Sequence, residues 1–368
     1  MDEQSNLLAL NAIELKNFRC FKEKKIIFQY PITYIEGHNG TGKTSLLEAL
    51  YFAGNLRSFK TVHSKELIRS DMQGFFLKLD VIDTLIPTGQ RTLKVGYTAE
   101  KKAVKLDNTL VTSFDQLHQQ YRVLAITEDD VQIIQGSPIE RRAFIDHALI
   151  LAMPSVMPLF KQFRRVLAQR NQLLSERIVR DTTLYIVLTE QLLQITAAIQ
   201  QHRKILLKIL DNYMQPWVQE LWGSSSNFHM EYTTRYSIDE PMNATHFLEK
   251  YPQLMHIETR YGRSLFGIHV DDITLTLQGM PARSFGSRGQ QKSLIMLLKI
   301  ALLQHLLEVK KIPTIFLLDD FLTDFDTQRL SFFMQLLQRL PVQLIITVPT
   351  GSSLVAPLQP LYPIISLI

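Results

Sequence analysis

Apolar and polar positions alternate in short runs along the first part of the chain. Ile13-Glu14-Leu15, Lys25-Ile26-Ile27-Phe28 and Ile32-Thr33-Tyr34-Ile35 come first. Beyond a helical stretch follow Leu77-Lys78-Leu79-Asp80-Val81, Leu93-Lys94-Val95 and Val104-Lys105-Leu106. A period of two marks half-buried strands, and Asp107-Asn108 supplies a turn after the last of them. From about Ser137 the spacing becomes helical and stays so to about Trp222. Ser137 is placed to cap, Pro138 to open the helix and Glu140 to complete a capping box. Pro154 and Pro158 interrupt the run, longer helices are expected near 159–178 and 183–213, and Gly223-Ser224-Ser225-Ser226 closes the segment. Strand-like pieces then resume. A helix at about 289–309, the strand 314–318, a helix near 326–339 and the strand 343–347 complete the pattern. The fold class is α/β, one unit split by a largely helical insertion: lobe I over 1–125 and 275–368, lobe II over 126–274.

Composition narrows the class. With 368 residues, 46% of them hydrophobic, the chain is globular and long enough for two packed units at roughly 100–200 residues each. Cys20 is the single cysteine, which excludes a disulfide framework and a cysteine-ligated zinc site and points to a reducing, cytoplasmic compartment. Residues 1–11 open with two acids and lack the basic start of a secretory signal. The most apolar stretch, 294–309, contains Lys299, Gln304, His305 and Glu308 and falls short of the ~20 apolar residues that span a bilayer. No membrane association is expected. The net charge is +5, and between Gly136 and Tyr213 eleven Lys and Arg face six Asp and Glu. The whole surplus thus lies in one helical segment, which fits either an anionic partner such as nucleic acid or a solvated helix face.

Gly37-His38-Asn39-Gly40-Thr41-Gly42-Lys43-Thr44 fits G-x-x-x-x-G-K-[ST] without a mismatch, with a strand before it and a helix from Ser45 after it. Such glycines let backbone N–H groups converge on phosphate oxygens at a helix N-terminus. Lys43 should reach the β- and γ-phosphates of ATP, and the Thr44 hydroxyl should ligate Mg²⁺. Asp319 ends the apolar run Ile315-Phe316-Leu317-Leu318 and is the candidate second Mg²⁺ residue. It stands at the carboxyl edge of a strand, where open α/β sheets bind ligands. Asp320 follows as the candidate that acts on the attacking water. Aspartate is one methylene shorter than glutamate, so slow hydrolysis is expected.

Ser284-Phe285-Gly286-Ser287-Arg288-Gly289-Gln290-Gln291-Lys292 opens a strongly apolar helix. A simple N-cap accounts for Ser287 but not for the Gly-Gln pair behind it. Ser287-Arg288-Gly289-Gln290 resembles the signature motif of ABC-type ATPases in the form used by the RecF family. Leu15-Lys16-Asn17-Phe18-Arg19, Leu56-Arg57-Ser58-Phe59-Lys60-Thr61, Glu128-Asp129-Asp130, Gly136-Ser137-Pro138 with Arg141-Arg142-Ala143-Phe144-Ile145-Asp146, and Leu317-Leu318-Asp319-Asp320 leading to Thr323-Asp324-Phe325-Asp326 match it in order from about 11 to 350. The P-loop is generic; the ordered set is specific.

The resemblance implies a two-lobed ABC-type P-loop ATPase head related to SMC proteins but without their long coiled coil. ATP would be held between two copies, with Gly37–Thr44, Ser45, Asp319 and Asp320 of one and Ser287, Gly289 and Gln290 of the other. Asp324 and Asp326 match a loop that communicates across such dimers, Thr347 stands where relatives often place a histidine switch, and Arg57 resembles an arginine near nucleotide and DNA. The implied function is ATP-dependent binding of gapped or duplex DNA, with weak DNA-stimulated ATPase activity. Cooperation with RecO and RecR in loading a recombinase goes with it. Two departures stand out: Gly267-Ile268-His269-Val270-Asp271-Asp272 has Ile268 and Val270 where the family usually has Pro and Arg. For the glutamine loop, Gln132 and Gln135 both remain open.

Lys161, Arg164 and Arg165, with Arg177, recur at helical spacings that can share a face, and together with Arg170 they are the candidate phosphate contacts. Aromatics are few among them, so backbone contact without sequence reading fits better than base stacking. Arg141 and Arg142 serve either DNA or a pairing with Glu140 or Asp146. The alternative function is the nucleotide-binding subunit of an ABC transporter, against which the basic insertion counts. A small-molecule kinase leaves the Ser287 motif unused.

Overall fold

The computed structural model describes residues 10–82, 89–112, 116–117, 122–236, 238, 243–309, 314–351 and 364–367. The chain forms two compact units, Met1–Asp130 with Leu303–Ile368 and Val131–Leu302. These divisions compare with 125/126 and 274/275 expected from the sequence.

Unit 1 is built on two sheets. The antiparallel one comprises β1 (Leu10–Phe18), β2 (Phe21–Ile27), β4 (Gly74–Ile82), β5 (Gln90–Thr98), β6 (Lys102–Leu106) and β7 (Thr109–Leu110), in the order β2-β1-β4-β5-β6-β7. The parallel one comprises β3 (Ile32–Gly37), β8 (Arg122–Ile126), β12 (Thr314–Leu318), β13 (Gln343–Pro349) and β14 (Ile364–Ser366), in the order β14-β3-β13-β12-β8. Strands β3, β8, β12 and β13 are almost wholly buried and read as largely apolar runs, whereas β14 at the edge is partly exposed. Helix α1 (Lys43–Asn55) touches β1, β4 and β5 of one sheet and β3, β8 and β13 of the other. Its sequence is therefore apolar on all sides rather than striped. Besides Lys43 at its start, the helix buries Glu48, which accepts both Arg19 Nε and Nη2 at 2.8 Å and ties the β1–β2 turn to α1 behind the P-loop.

Unit 2 contains α2 (Pro138–Ala152), α3 (Met157–Ser175), α4 (Thr182–Trp222), α5 (Ala244–Lys250) and α6 (Leu254–Tyr261). A small sheet, β11-β10-β9, is formed by β9 (Phe228–Thr233), β10 (Asp272–Leu277) and β11 (Met280–Pro281). The cap of α2 is as expected: Ser137 Oγ accepts the Ile139 N–H at 3.3 Å and donates to Glu140 at 2.6 Å. Pro158, by contrast, does not interrupt a helix. It lies in the first turn of α3, where a missing N–H is harmless. Helix α4 runs past its expected end, through Pro216, to Gly223 at φ 101.

By length and composition α4 could cross a membrane. However, its Gln200 and Arg203 are buried in hydrogen-bonded networks of unit 2, as in a core helix. Helix α7 (Arg288–Val309) carries the signature residues at its start, and α8 (Thr327–Gln338) follows β12. Asp326 caps α8 by accepting the Arg329 N–H at 2.8 Å.

Candidate functional site

Strand order builds the site. Because β13 lies between β3 and β12, the carboxyl ends of three strands meet, carrying Gly37, Thr347 and Asp319. The chain turns from β3 into α1 through Gly40 at φ +87 and Gly42 at φ +101, conformations that L side chains avoid. Gly42 is required twice over, since a Cβ there would lie 2.7 Å from Cys20 Sγ and 2.8 Å from the Phe21 ring. The first turn of α1 has no side-chain cap, so its amides face the loop.

Lys43 is buried and donates to Gly37 O at 2.7 Å, with His38 O 3.4 Å away. Thr44 Oγ1 donates to Asp319 Oδ1 at 3.1 Å across 275 positions of sequence. Thr347 Oγ1 accepts the Asp320 N–H at 2.8 Å and lies 3.0 Å from Asp319 Oδ1 and 3.3 Å from Asp320 Oδ1. Asp320 is held at φ 50, a strained backbone for a non-glycine residue.

Burial pushes the Asp319 carboxyl above the usual aspartate range, against the hydrogen bonds from Thr44 and Thr347 and the charge of Lys60. These are hard oxygen donors of the kind Mg²⁺ takes. Two adjacent ligands at about 2.1 Å would stand about 3.0 Å apart, close to the Thr44–Asp319 separation. An open pocket lies over the loop, lined also by His38, Asn39, Ser45 and Asp320. Cys20 and Lys60 line it as well and were missed as site residues. Only the match of the Leu56–Thr61 segment pointed toward Lys60.

The family model of the RecF/RecN/SMC N terminal domain matches residues 9–355. A DNA replication and repair protein RecF of Acholeplasma laidlawii is 31% identical over 337 residues, covering 90% of each chain. The chain belongs to the RecF family. A second RecF, from Citrifermentans bemidjiense, is 28% identical over 346 residues, covering 92% of this chain and 93% of its own. Among solved structures, the recombination mediator protein RecF with ATP, of the RecFOR pathway, superposes with TM-score 0.85 at 23% identity, covering 96% of this chain and 95% of that one. The Smc head of Pyrococcus furiosus reaches TM-score 0.50 at 12% identity over 94% and 90%. The fold is that of the two-lobed ABC-type head.

In this RecF-family chain the signature motif is partly explained by its own helix. Ser287 N–H donates to Gln290 Oε1 at 2.9 Å and Gln290 N–H to Ser287 Oγ at 3.3 Å, a reciprocal capping box. An N-cap thus accounts for Gln290 as well as Ser287, and Arg288 and Gly289 lie outside it. The next residue, Gln291, is buried and takes the Gln135 amide at 2.6 Å, whereas Gln132 is exposed.

The arginines of the insertion divide sharply. Lys161, Arg164 and Arg165 are exposed on one face of α3, and Arg57 is exposed with its guanidinium 3.4 Å from Tyr51 OH. Arg170 is not a DNA contact. It is fully buried, pairs with Glu258 at 2.6 and 2.9 Å, bonds Ser264 at 2.7 Å and lies over the Tyr185 and Phe266 rings. Its spacing could have revealed this, because Phe163, Val166, Arg170 and Leu174 form one buried stripe. Arg177 falls beyond α3 at φ 56 and does not extend the exposed face.

Arg141 pairs with neither Glu140 nor Asp146 but with Asp272, through two bonds of 2.8 and 2.9 Å. Asp146 belongs to Arg203. Arg142 donates to the Asp271 carbonyl at 2.7 Å. The loop with Ile268 and Val270 thus serves as an internal junction of unit 2: Arg203 takes the Ile268 carbonyl, and Asp271 accepts Gln200 and Tyr232. Among the described residues no group of three His, Cys, Asp or Glu side chains converges as a metal site.

Proposed function

We propose that the chain binds Mg²⁺–ATP at Gly37–Thr44, that ATP joins two copies, and that the dimer binds DNA sequence-independently in replication and recombinational repair. The observation that carries this reading is the meeting of Thr44, Asp319, Asp320 and Thr347 through single hydrogen bonds at the head of α1. Mg²⁺, when bound, neutralises phosphate charge. The loop amides and the start of α1 hold the phosphates, and Lys43 exchanges its two carbonyl partners for phosphate oxygens. Thr44 and Asp319 would hold the metal, with Thr347 donating to the Asp319 carboxylate and accepting the Asp320 N–H. Asp320 lines the pocket and would orient the water, its side chain one methylene shorter than glutamate making turnover slow. Ser287, Gly289 and Gln290 of a second copy complete the nucleotide site, so that ATP acts as the dimer's glue.

Duplex or gapped DNA would lie on Lys161, Arg164 and Arg165, with Arg57 near nucleotide and DNA, and would stimulate the weak ATPase. The names of the relatives, DNA replication and repair protein RecF, support the repair role. The RecFOR pathway of the structural neighbour supports RecO and RecR as partners, in the cytoplasm. The transporter-subunit reading is not favoured, since the family match covers residues 9–355. Sedimentation with ATP or ADP, with and without gapped DNA, tests the proposal. ATP alone should give the dimer and DNA retention, and Lys43→Ala should abolish both. If ATP yields neither, and Lys43→Ala behaves as the parent, the reading is wrong.

A further inference from the structure

The open face of the six-stranded sheet in unit 1 carries a side-chain pattern that folding does not require. Strand register sets Lys25, Glu14, Lys78, Lys94 and Lys105 in one row over five adjacent strands, each directly opposite the next. Neighbouring strands lie about 4.8 Å apart, so Lys78, Lys94 and Lys105 set three ammonium groups over a span of about 10 Å. Like charges directly opposite one another destabilise a sheet. Lys78 is relieved by Glu14 at 3.3 Å and Asp80 at 3.2 Å, but Lys94 only by the Asn108 amide oxygen at 3.0 Å. Among the described residues Lys105 forms no ion pair with an acid, while Lys16 in the next row has Glu23 directly opposite it on β2 without a salt bridge to it. The row between these two faces inward as buried Leu15, Leu77, Val95 and Val104, so the lysines fill no core.

The Lys16 row continues through Phe76, Gly96 and Ala103. Phe76 is 38% exposed, and a Cβ at Gly96 would meet nothing within 4 Å, so the ring stands in the open. A solvent-facing aromatic ring on a sheet, with lysines beside it, suits an unstacked base and its phosphates. A duplex keeps its bases stacked and cannot use the ring. We propose that this face binds single-stranded DNA, with one base on Phe76 and the backbone along Lys16, Lys94 and Lys105. The proposal rests on the reading of the chain as a DNA-binding protein and adds a single-strand surface to the α3 face.

Fluorescence anisotropy with a labelled oligo(dT) and a labelled duplex, in ATP, tests it on the parent, Phe76→Ala, Lys94→Gln/Lys105→Gln and Arg164→Glu/Arg165→Glu. Phe76→Ala should weaken oligo(dT) binding about fivefold or more and leave duplex affinity unchanged. The double lysine variant should lower the oligo(dT) log–log salt slope by about 1.4, from two lost phosphate contacts. It should also unfold no earlier than the parent, because like-charge neighbours have been removed. If the parent binds oligo(dT) and both sheet variants bind it equally well, or if they lose duplex binding to the same degree, the surface is not a single-strand site although the DNA reading stands. If the parent binds neither DNA, the DNA reading fails and the proposal falls with it.

Discussion

Arg170→Ala separates a structural cation from a DNA contact. The substitution removes two bonds to Glu258, one to Ser264, the contacts to Thr189 Oγ1 at 3.2 and 3.3 Å, and two ring contacts. Glu258 is then left fully buried with only the Tyr185 hydroxyl at 2.8 Å and the Leu265 N–H at 2.7 Å to satisfy it. Breaking a buried pair by removing one member costs about 3–5 kcal/mol, because the remaining charge is uncompensated. For a unit the size of Val131–Leu302, about 2–4 °C per kcal/mol puts the expected fall in unfolding midpoint at about 6–20 °C. Scanning calorimetry on the full chain reads it. Arg170→Met with Glu258→Leu should recover a large part of the loss, since an apolar pair of similar volume needs no counter-charge. DNA affinity below the midpoint should stay at the parent value, whereas Arg164→Glu/Arg165→Glu should reduce it without moving the midpoint. A parent-like midpoint combined with weakened DNA binding in Arg170→Ala would refute the burial argument.

Gly42→Ala should abolish nucleotide binding, read with a fluorescent ATP analogue, since the positive φ and the overlap with Cys20 cannot both be relieved. Thr347→Val leaves the Asp320 N–H without its acceptor and should lower stability by about 1–3 kcal/mol in denaturant titration. Because burial raises the Asp319 pKa, its charged form is disfavoured in the fold, and lowering the pH relieves that penalty rather than adding one. Mg²⁺ needs the carboxylate, so Mg²⁺–ATP affinity should fall as pH drops through this raised pKa, and Asp319→Asn should flatten the profile in calorimetric titration. Arg164→Gln with Arg165→Gln should reduce the duplex salt slope by about 1.8.

What could be read from the sequence was what neighbours in sequence determine. The P-loop, the Ser137 cap and the alternation of β1, β4, β5 and β6 are patterns of a few consecutive residues. Asp319 was legible because an apolar run delivers it to a strand edge. Pro158 was misread by treating any proline as a break, although the first turn of a helix accepts one. Arg170 was legible in principle from its register with Phe163, Val166 and Leu174. The bond from Arg141 to Asp272 was not, as 131 positions separate the pair and nearer acids compete equally in any local view. Nor was the role of Thr347, which depends on β13 entering the sheet between β3 and β12.

Charge shows the same division between chain order and space. Unit 2 holds nineteen Lys and Arg against fourteen Asp and Glu, and unit 1 holds 21 of each, so the net +5 belongs wholly to unit 2. Arg141, Arg170 and Arg203 turn inward, and each takes one acid with it: Asp272, Glu258 and Asp146. Removing neutral pairs leaves the surplus untouched and gives it to fewer surface groups, which raises the positive share of what an approaching polyanion meets. Arg142 differs, because it donates to a carbonyl and leaves no acid cancelled. Unit 1 reaches a similar asymmetry by another route. Its charges sum to zero, yet the period of two in β1, β4, β5 and β6 sorts Lys16, Lys78, Lys94 and Lys105 onto one face, where they outnumber Glu14 and Asp80. Salt bridges in the one unit and strand pleat in the other therefore each concentrate cations where a count along the chain does not reveal them.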